Sequence, residues 1–202
     1  MPILVIIPVF IIMMMMISDF SCQSKTSKCN REGTEAELNY KLKKVECDGD
    51  PVRVKNISCY VKPINWSTGL VTMDSYLTVP MLNPYIRLQV LKKDYSNQWK
   101  PFLIDASFTI CEGKKNFYPY GVIFWKLVKS FTNANHSCPF SGHKFARGGY
   151  LDSSLFPPFP QGFYQVSLTF TDVNSTHSEF VGTAKFYMEA MEQIKRKTKP
   201  GV

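Results

Sequence analysis

Between Tyr40 and Met191 the chain reads as an antiparallel all-β domain. Three features carry that reading: apolar and polar residues alternate at period two, the alternating runs are short, and Gly, Pro, Asn and Asp separate them. The clearest run is Phe102 to Ile110, where Phe102, Ile104, Ala106, Phe108 and Ile110 fall on one face and Asp105, Ser107 and Thr109 on the other. Ile86, Leu88 and Val90 alternate against Arg87 and Gln89. Later in the chain Tyr164, Val166, Leu168 and Phe170 share a face, and so do Phe180, Ala184, Phe186 and Met188. Val52 to Val61 and Leu70 to Val79 are weaker strand candidates. One segment departs from period two. Phe124, Leu127, Val128 and Phe131 follow i, i+3, i+4, i+7, which predicts a short amphipathic helix.

The 202 residues suffice for one domain with short tails. At 45% hydrophobic and 20% charged, the chain buries enough apolar surface to offset its ordering entropy, which excludes intrinsic disorder. The net charge of +8 is spread along the chain and does not mark a nucleic-acid partner. Only Lys195, Arg196, Lys197 and Lys199 cluster, and residues 192–202 read as a basic, disordered tail.

Met1 to Ile17 is uncharged and almost wholly apolar, and its uninterrupted stretch from Val9 is far shorter than the ~20 residues of a membrane span. A signal peptide over residues 1–21 is expected, removed between Ser18 and Ser24, with an uncleaved anchor as the alternative. Residues 22–39 are polar and read as a flexible arm before a domain over residues 40–191. In an oxidising compartment the six cysteines, Cys22, Cys29, Cys47, Cys59, Cys111 and Cys138, serve as disulfide partners; none forms the Cys-x-x-Cys pair of a zinc site. Proximity favours Cys47 with Cys59 and Cys111 with Cys138, and a crossed pairing of Cys47 with Cys138 stays open. A bridge closing the Cys111–Cys138 loop, which holds the predicted helix, would stabilise by about 3–4 kcal/mol. Sequons at Asn56, Asn65, Asn135 and Asn174 add the expectation of N-glycosylation and secretion to the extracellular space.

Catalytic patterns do not emerge, and neither an enzyme nor a cofactor is expected. No Gly-x-Ser-x-Gly elbow occurs. His136 lies two residues from Cys138, but Cys-His partners are normally distant in sequence, and a disulfide is the better reading of this cysteine. His143 and His177 have no partner at metal-ligand spacing. Glu112-Gly113-Lys114-Lys115 lacks the framing residues of a phosphate-binding loop, and Arg147-Gly148-Gly149 is a turn.

Four segments stand in a distinctive order: Asn56-Ile57-Ser58-Cys59-Tyr60-Val61-Lys62; Trp99-Lys100-Pro101-Phe102-Leu103 leading to Cys111; Asn133-Ala134-Asn135-His136-Ser137-Cys138-Pro139-Phe140; and Phe159-Pro160-Gln161-Gly162-Phe163-Tyr164. With them the chain, over Lys43 to Met191, resembles a large insect family of small secreted proteins of unknown function. That family is related to the ML (MD-2-related lipid-recognition) superfamily and includes chemosensory proteins of fly taste hairs. Where the family often has Asp two residues before its third core cysteine, this chain has Thr109. The resemblance implies an immunoglobulin-like two-sheet antiparallel β-sandwich, with one short helix in a disulfide-closed loop, that opens between its sheets to hold an apolar ligand.

On such a sandwich the apolar faces meet across the interior, so parity selects the side chains that a ligand would touch. These are Leu88, Val90, Phe102, Ile104, Phe108, Val166, Leu168 and Phe186, with Phe124, Trp125 and Phe131 at the mouth. The function expected is a secreted binding protein for a lipid, fatty acid, sterol or hydrocarbon pheromone, with a membrane receptor or channel as a further partner. The competing expectation is an extracellular interaction protein with a solid core, because a filled interior needs the same Phe-rich composition.

Overall fold

The computed structural model describes residues 35–111, 120–152, 156, 158–173 and 177–195, with backbone alone at 35–37, 120–124 and 193–195. The segments read as a signal peptide, the start of the arm and the end of the tail lie outside these residues. Among the described residues eight strands and one helix follow in order. They are β1 (Glu35–Gly49), β2 (Val54–Pro63), β3 (Gly69–Met81), β4 (Pro84–Lys93), β5 (Trp99–Thr109), α1 (Tyr120–Phe131), β6 (Phe140–Gly149), β7 (Gly162–Val173) and β8 (Ser178–Lys195). They build a two-sheet antiparallel sandwich: one sheet of five strands in the order β1-β8-β7-β4-β5 and one of three in the order β2-β3-β6.

Turn chemistry sets the hairpins. The Asp50 carboxylate accepts from Val52 N–H at 2.7 Å and turns the chain out of β1. Asn65 Oδ1 accepts from the backbone N–H groups of Ser67 and Thr68 between β2 and β3. Asp94 accepts from Gln98 N–H between β4 and β5, where Asn97 takes the left-handed φ of +63° that Asn tolerates.

The expected strand runs occupy β2 to β5, β7 and β8, and the alternation holds through β4 and β5. In β5 three residues, Phe102 to Ile104, stand opposite Val90 alone, between the pairs Pro101–Leu91 and Asp105–Gln89. The extra two preserve parity, so Phe102 and Ile104 both turn inward, while Leu103 is thrown out at φ +55° and 79% exposed.

Two sequence expectations are corrected. Glu35 to Asn39 belong to β1 and pair with Met191 to Lys195 of β8, so the domain starts before Tyr40 and runs past Met191. Phe180 does not share the inward face of Ala184, Phe186 and Met188. Phe170 pairs with Gly182 and Thr171 with Phe180, leaving Val181 as an extra residue, and this bulge buries Val181 and exposes Phe180. Gly182 fits here because a Cβ would stand 2.7 Å from the Asp48 carbonyl oxygen.

Both favoured disulfides are present, and each does a distinct job. Cys47–Cys59 ties β1 to β2 and so joins the two sheets along one side; Cys111–Cys138 closes the connection that carries α1 on the other. A three-stranded sheet cannot cover five strands, and the helix, packed on β6, supplies part of the missing width. At the far end of β7 and β8 the buried Arg53 guanidinium reaches Asp172 at 2.7 Å and Glu179 at 2.6 Å. This clamp runs from the entry of β2 to the five-stranded sheet.

Candidate ligand-binding site

The interior is not one contiguous core. Buried residues fall into three clusters: around Tyr40, Val90, Phe159, Tyr164 and Met188; around Val54, Leu77, Met81, Phe140 and Val181; and a small one of Ile86, Phe108 and Leu168. They meet only through partly exposed side chains, among them Leu88, Ile110, Phe170 and Phe186. These four point inward, and their residual exposure faces a cavity of about 410 Å³, within the ordinary range of small-molecule sites.

The five-stranded sheet lines this cavity with Leu88, Val90, Ile104, Val166, Leu168 and Phe186, all expected there from parity. Phe131, expected at the mouth, lies on the wall with Leu127 and Val128, its neighbours on the apolar stripe of α1. The opposite wall comes from β2 and β3, through Ile57, Val71, Met73, Leu77 and Met81. These five were missed. Val71, Met73 and Leu77 do alternate, with Ser75 interrupting the apolar series, and that was the available signal. On β2 the bulge at Asn56, with φ +54°, reverses the parity, so Val54 and Ile57 both face inward and no uniform period exists to read.

Three expected residues lie elsewhere. Phe102 is taken up by an aromatic group, with ring centroids 5.7 Å from Phe159 and 5.3 Å from Tyr164. Phe108 packs with Ile86 and Leu168 behind the wall. Trp125 is half-buried but off the cavity, because one residue beyond Phe124 is about 100° around the helix. The Phe124 side chain lies outside the described residues.

The aromatic group forms the floor. Tyr40 Oη accepts the Phe159 N–H at 2.8 Å, and Tyr164 donates its hydroxyl proton to the Pro160 carbonyl at 2.5 Å. These bonds hold the connection before β7 across the end of the sandwich. Burial, with Tyr40 adjacent, pushes the Tyr164 phenol up to about 12, so it stays a donor throughout the neutral range.

Polar side chains on the cavity wall are few. Asp48 and Ser58 are exposed, and Thr183 lies on the outward parity of β8. Asp74 is held on the outer face by His143 at 2.9 Å and Arg147 at 3.3 Å, and these contacts lower its pKa. Thr132 donates to the Val128 carbonyl. Tyr150 is exposed, its ring set edge-on against Phe131. That leaves Ser75 and Lys144, which stand opposite each other in the β3–β6 register. Burial lowers the pKa of the Lys144 ammonium.

Cys138 is bonded to Cys111, so its sulfur is not a nucleophile for His136 to activate. Asn56, Asn65 and Asn135 are exposed, while Asn174 lies outside the described residues. Among the described residues no helix is long and apolar enough to cross a membrane.

Residues 86–166 match the model of a family described as a protein of unknown function, DUF1091. The matched stretch runs from β4 through β5, α1 and β6 into the start of β7, and so contains part of the five-stranded wall of the cavity, its helical side and the Cys111–Cys138 bridge. No curated protein matches the chain.

Proposed function

We propose that this protein binds a small apolar molecule between its sheets and carries or presents it outside the cell. The observation that carries the proposal is the apolar cavity of about 410 Å³ onto which inward-facing residues of both sheets open. An apolar void of this size is costly. At about 24 cal/mol per Å³ it would take on the order of 10 kcal/mol from the fold, comparable to the whole stability of a domain. A ligand recovers that loss. About ten buried methylenes at about 0.8 kcal/mol each contribute about 8 kcal/mol, the scale of micromolar affinity, without any specific polar contact.

Two disulfides favour an oxidising compartment, and the exposed Asn56, Asn65 and Asn135 are open to the glycosylation that their sequons specify. The resemblance to an insect family of secreted proteins related to the ML lipid-recognition superfamily supports the same ligand class and chemosensation, with a membrane receptor or channel as the recipient. The rival, an extracellular protein acting through its surface with a solid core, is disfavoured by the hollow interior.

The test is to secrete the protein from insect cells, confirm an endoglycosidase mobility shift, extract the purified native protein with organic solvent and identify the released species by mass spectrometry. Retained lipid, and a melting temperature that rises when a fatty acid or sterol is added, is the expected result. Absence of retained lipid together with no binding of either probe at micromolar concentration removes the carrier reading and leaves the surface-interaction one.

A further inference from the structure

We infer that the ligand is a long-chain carboxylate whose head is held by Lys144 and Ser75 at the rim of the cavity while its chain lies between the sheets. The inference rests on the carrier reading above and specifies it.

Ser75 and Lys144 pair across β3 and β6 on the inward parity, so a basic side chain rises from a strand face whose other inward neighbours, Met73 and Leu77, are apolar. Lys144 is the one cation among the described residues that line the cavity. Its neighbours do not neutralise it. The ammonium lies 3.1 Å from His136 Nε2 and 5.6 Å from the Phe140 ring centroid, and no carboxylate of the described residues forms an ion pair with it. The His136 Nδ1 lies 2.6 Å from the Ser137 carbonyl oxygen, which can only accept, so Nδ1 carries the proton. An ammonium can only donate, so Nε2 is the acceptor that faces Lys144. The nearest acid on the same sheet, Asp74, is engaged by His143 and Arg147 on the opposite face.

A partly buried cation without a carboxylate partner among the described residues leaves its remaining ammonium protons for an anion, and burial strengthens that attraction relative to water. A single lysine with one hydroxyl opposite suits a singly charged head. The volume suits one chain: about 410 Å³ holds on the order of a dozen methylene-sized groups at the ~30 Å³ of liquid packing. Charge at the rim and an apolar interior together describe an amphiphile, not a plain hydrocarbon.

The test compares a long-chain fatty acid with its methyl ester, measured by calorimetry or by displacement of a fluorescent fatty acid, in the wild type, Lys144→Met and Lys144→Arg. The wild type is expected to prefer the acid by about tenfold or more, the scale of a hydrogen bond to a charged group. In K144M the ratio of acid to ester affinity collapses toward one, and in K144R the preference returns. An alkyl phosphate of equal length serves as a further probe, and if it binds more tightly than the acid the carboxylate assignment is overturned. Equal acid and ester affinity in the wild type, or an unchanged ratio in K144M, overturns the anchor while leaving the carrier reading intact. Failure of the wild type to bind acid, ester and phosphate alike removes the carrier reading itself, and this inference falls with it. Circular dichroism and the melting temperature of K144M verify that the variant is folded.

Discussion

At one end of the sandwich Tyr40, Phe102, Phe159 and Tyr164 stack with ring centroids 5.1 to 5.9 Å apart, while in the middle Leu88, Val166 and Phe186 face a cavity. Both regions are apolar and both lie between the same strands, so hydrophobicity alone does not separate them. What separates them is reach and cover. Large rings from β1, β5 and β7 span the gap at the end, and the connection before β7 is drawn over them by the bonds to Tyr40 and Pro160. The middle has shorter Leu and Val side chains facing a sheet two strands narrower, and only α1 to make up the width. The packed end bears the stability that the hollow middle forgoes, and two disulfides add to it.

The largest effect is expected at the packed end. Tyr164 is fully buried, contacts Phe102 and Phe159, and donates to Pro160. Tyr164→Ala removes the ring and the tie together, and should destabilise by about 3–5 kcal/mol, lowering the melting temperature by on the order of 10 °C. Denaturant unfolding measures the first and calorimetry the second. A loss below about 1 kcal/mol would mean that this end is as loosely packed as the middle.

The end beyond the cavity is held by charge instead of rings, and pH distinguishes the two. Burial works to raise the Asp172 carboxyl, but the Arg53 guanidinium and the Asn83 N–H outweigh it and hold its pKa below the ordinary carboxylate value. A carboxyl with a depressed folded-state pKa contributes stability that is complete above its unfolded value and fades as the pH falls through the folded one. Wild-type stability should therefore decline below about pH 4, the ordinary aspartate range. Arg53→Met should cost about 3 kcal/mol at neutral pH by leaving Asp172 without its cation, and should flatten that acid limb. Urea titrations from pH 3 to 7 compare the two proteins, and parallel limbs would remove Arg53 from this role.

The contrast between packed and hollow regions could be read only in part from the residues. Period two placed the β4, β5 and β7 faces correctly because each of those strands keeps parity along its inward stretch, even across the two-residue bulge at Leu103. It misplaced Phe180 because one extra residue, Val181, reverses a face without any mark in the local pattern. It put Phe102 and Phe108 on the cavity wall because parity says which way a side chain points and nothing about how far away the opposite wall stands. Lys144 was invisible for a related reason. The run from Phe140 to Gly149 has few apolar residues, so its inward face is defined only by pairing with β3. The disulfides were readable from proximity because both bridges are local, with separations of 12 and 27 residues.

The smallest effect on stability is the most telling about the middle. Phe108 and Leu88 both face inward on neighbouring strands, but Phe108 is 8% exposed and wedged against Ile86 and Leu168, whereas Leu88 borders the cavity. Enlarging a side chain in a filled site forces neighbours off their rotamers, so Phe108→Trp should destabilise by about 1–3 kcal/mol. Leu88→Trp meets open space. Its added ring gains contacts that the void lacks, and the change in stability should stay within about 1 kcal/mol of zero, with either sign. Binding should follow the opposite order. The indole of L88W occupies volume that a ligand needs and should weaken a fluorescent fatty acid by at least about tenfold, on the order of two buried methylenes excluded, while F108W retains most of its affinity. Denaturant unfolding and probe titration on the same two variants decide the matter. Should L88W cost as much stability as F108W, the middle of the sandwich packs solid and the distinction between its two regions disappears.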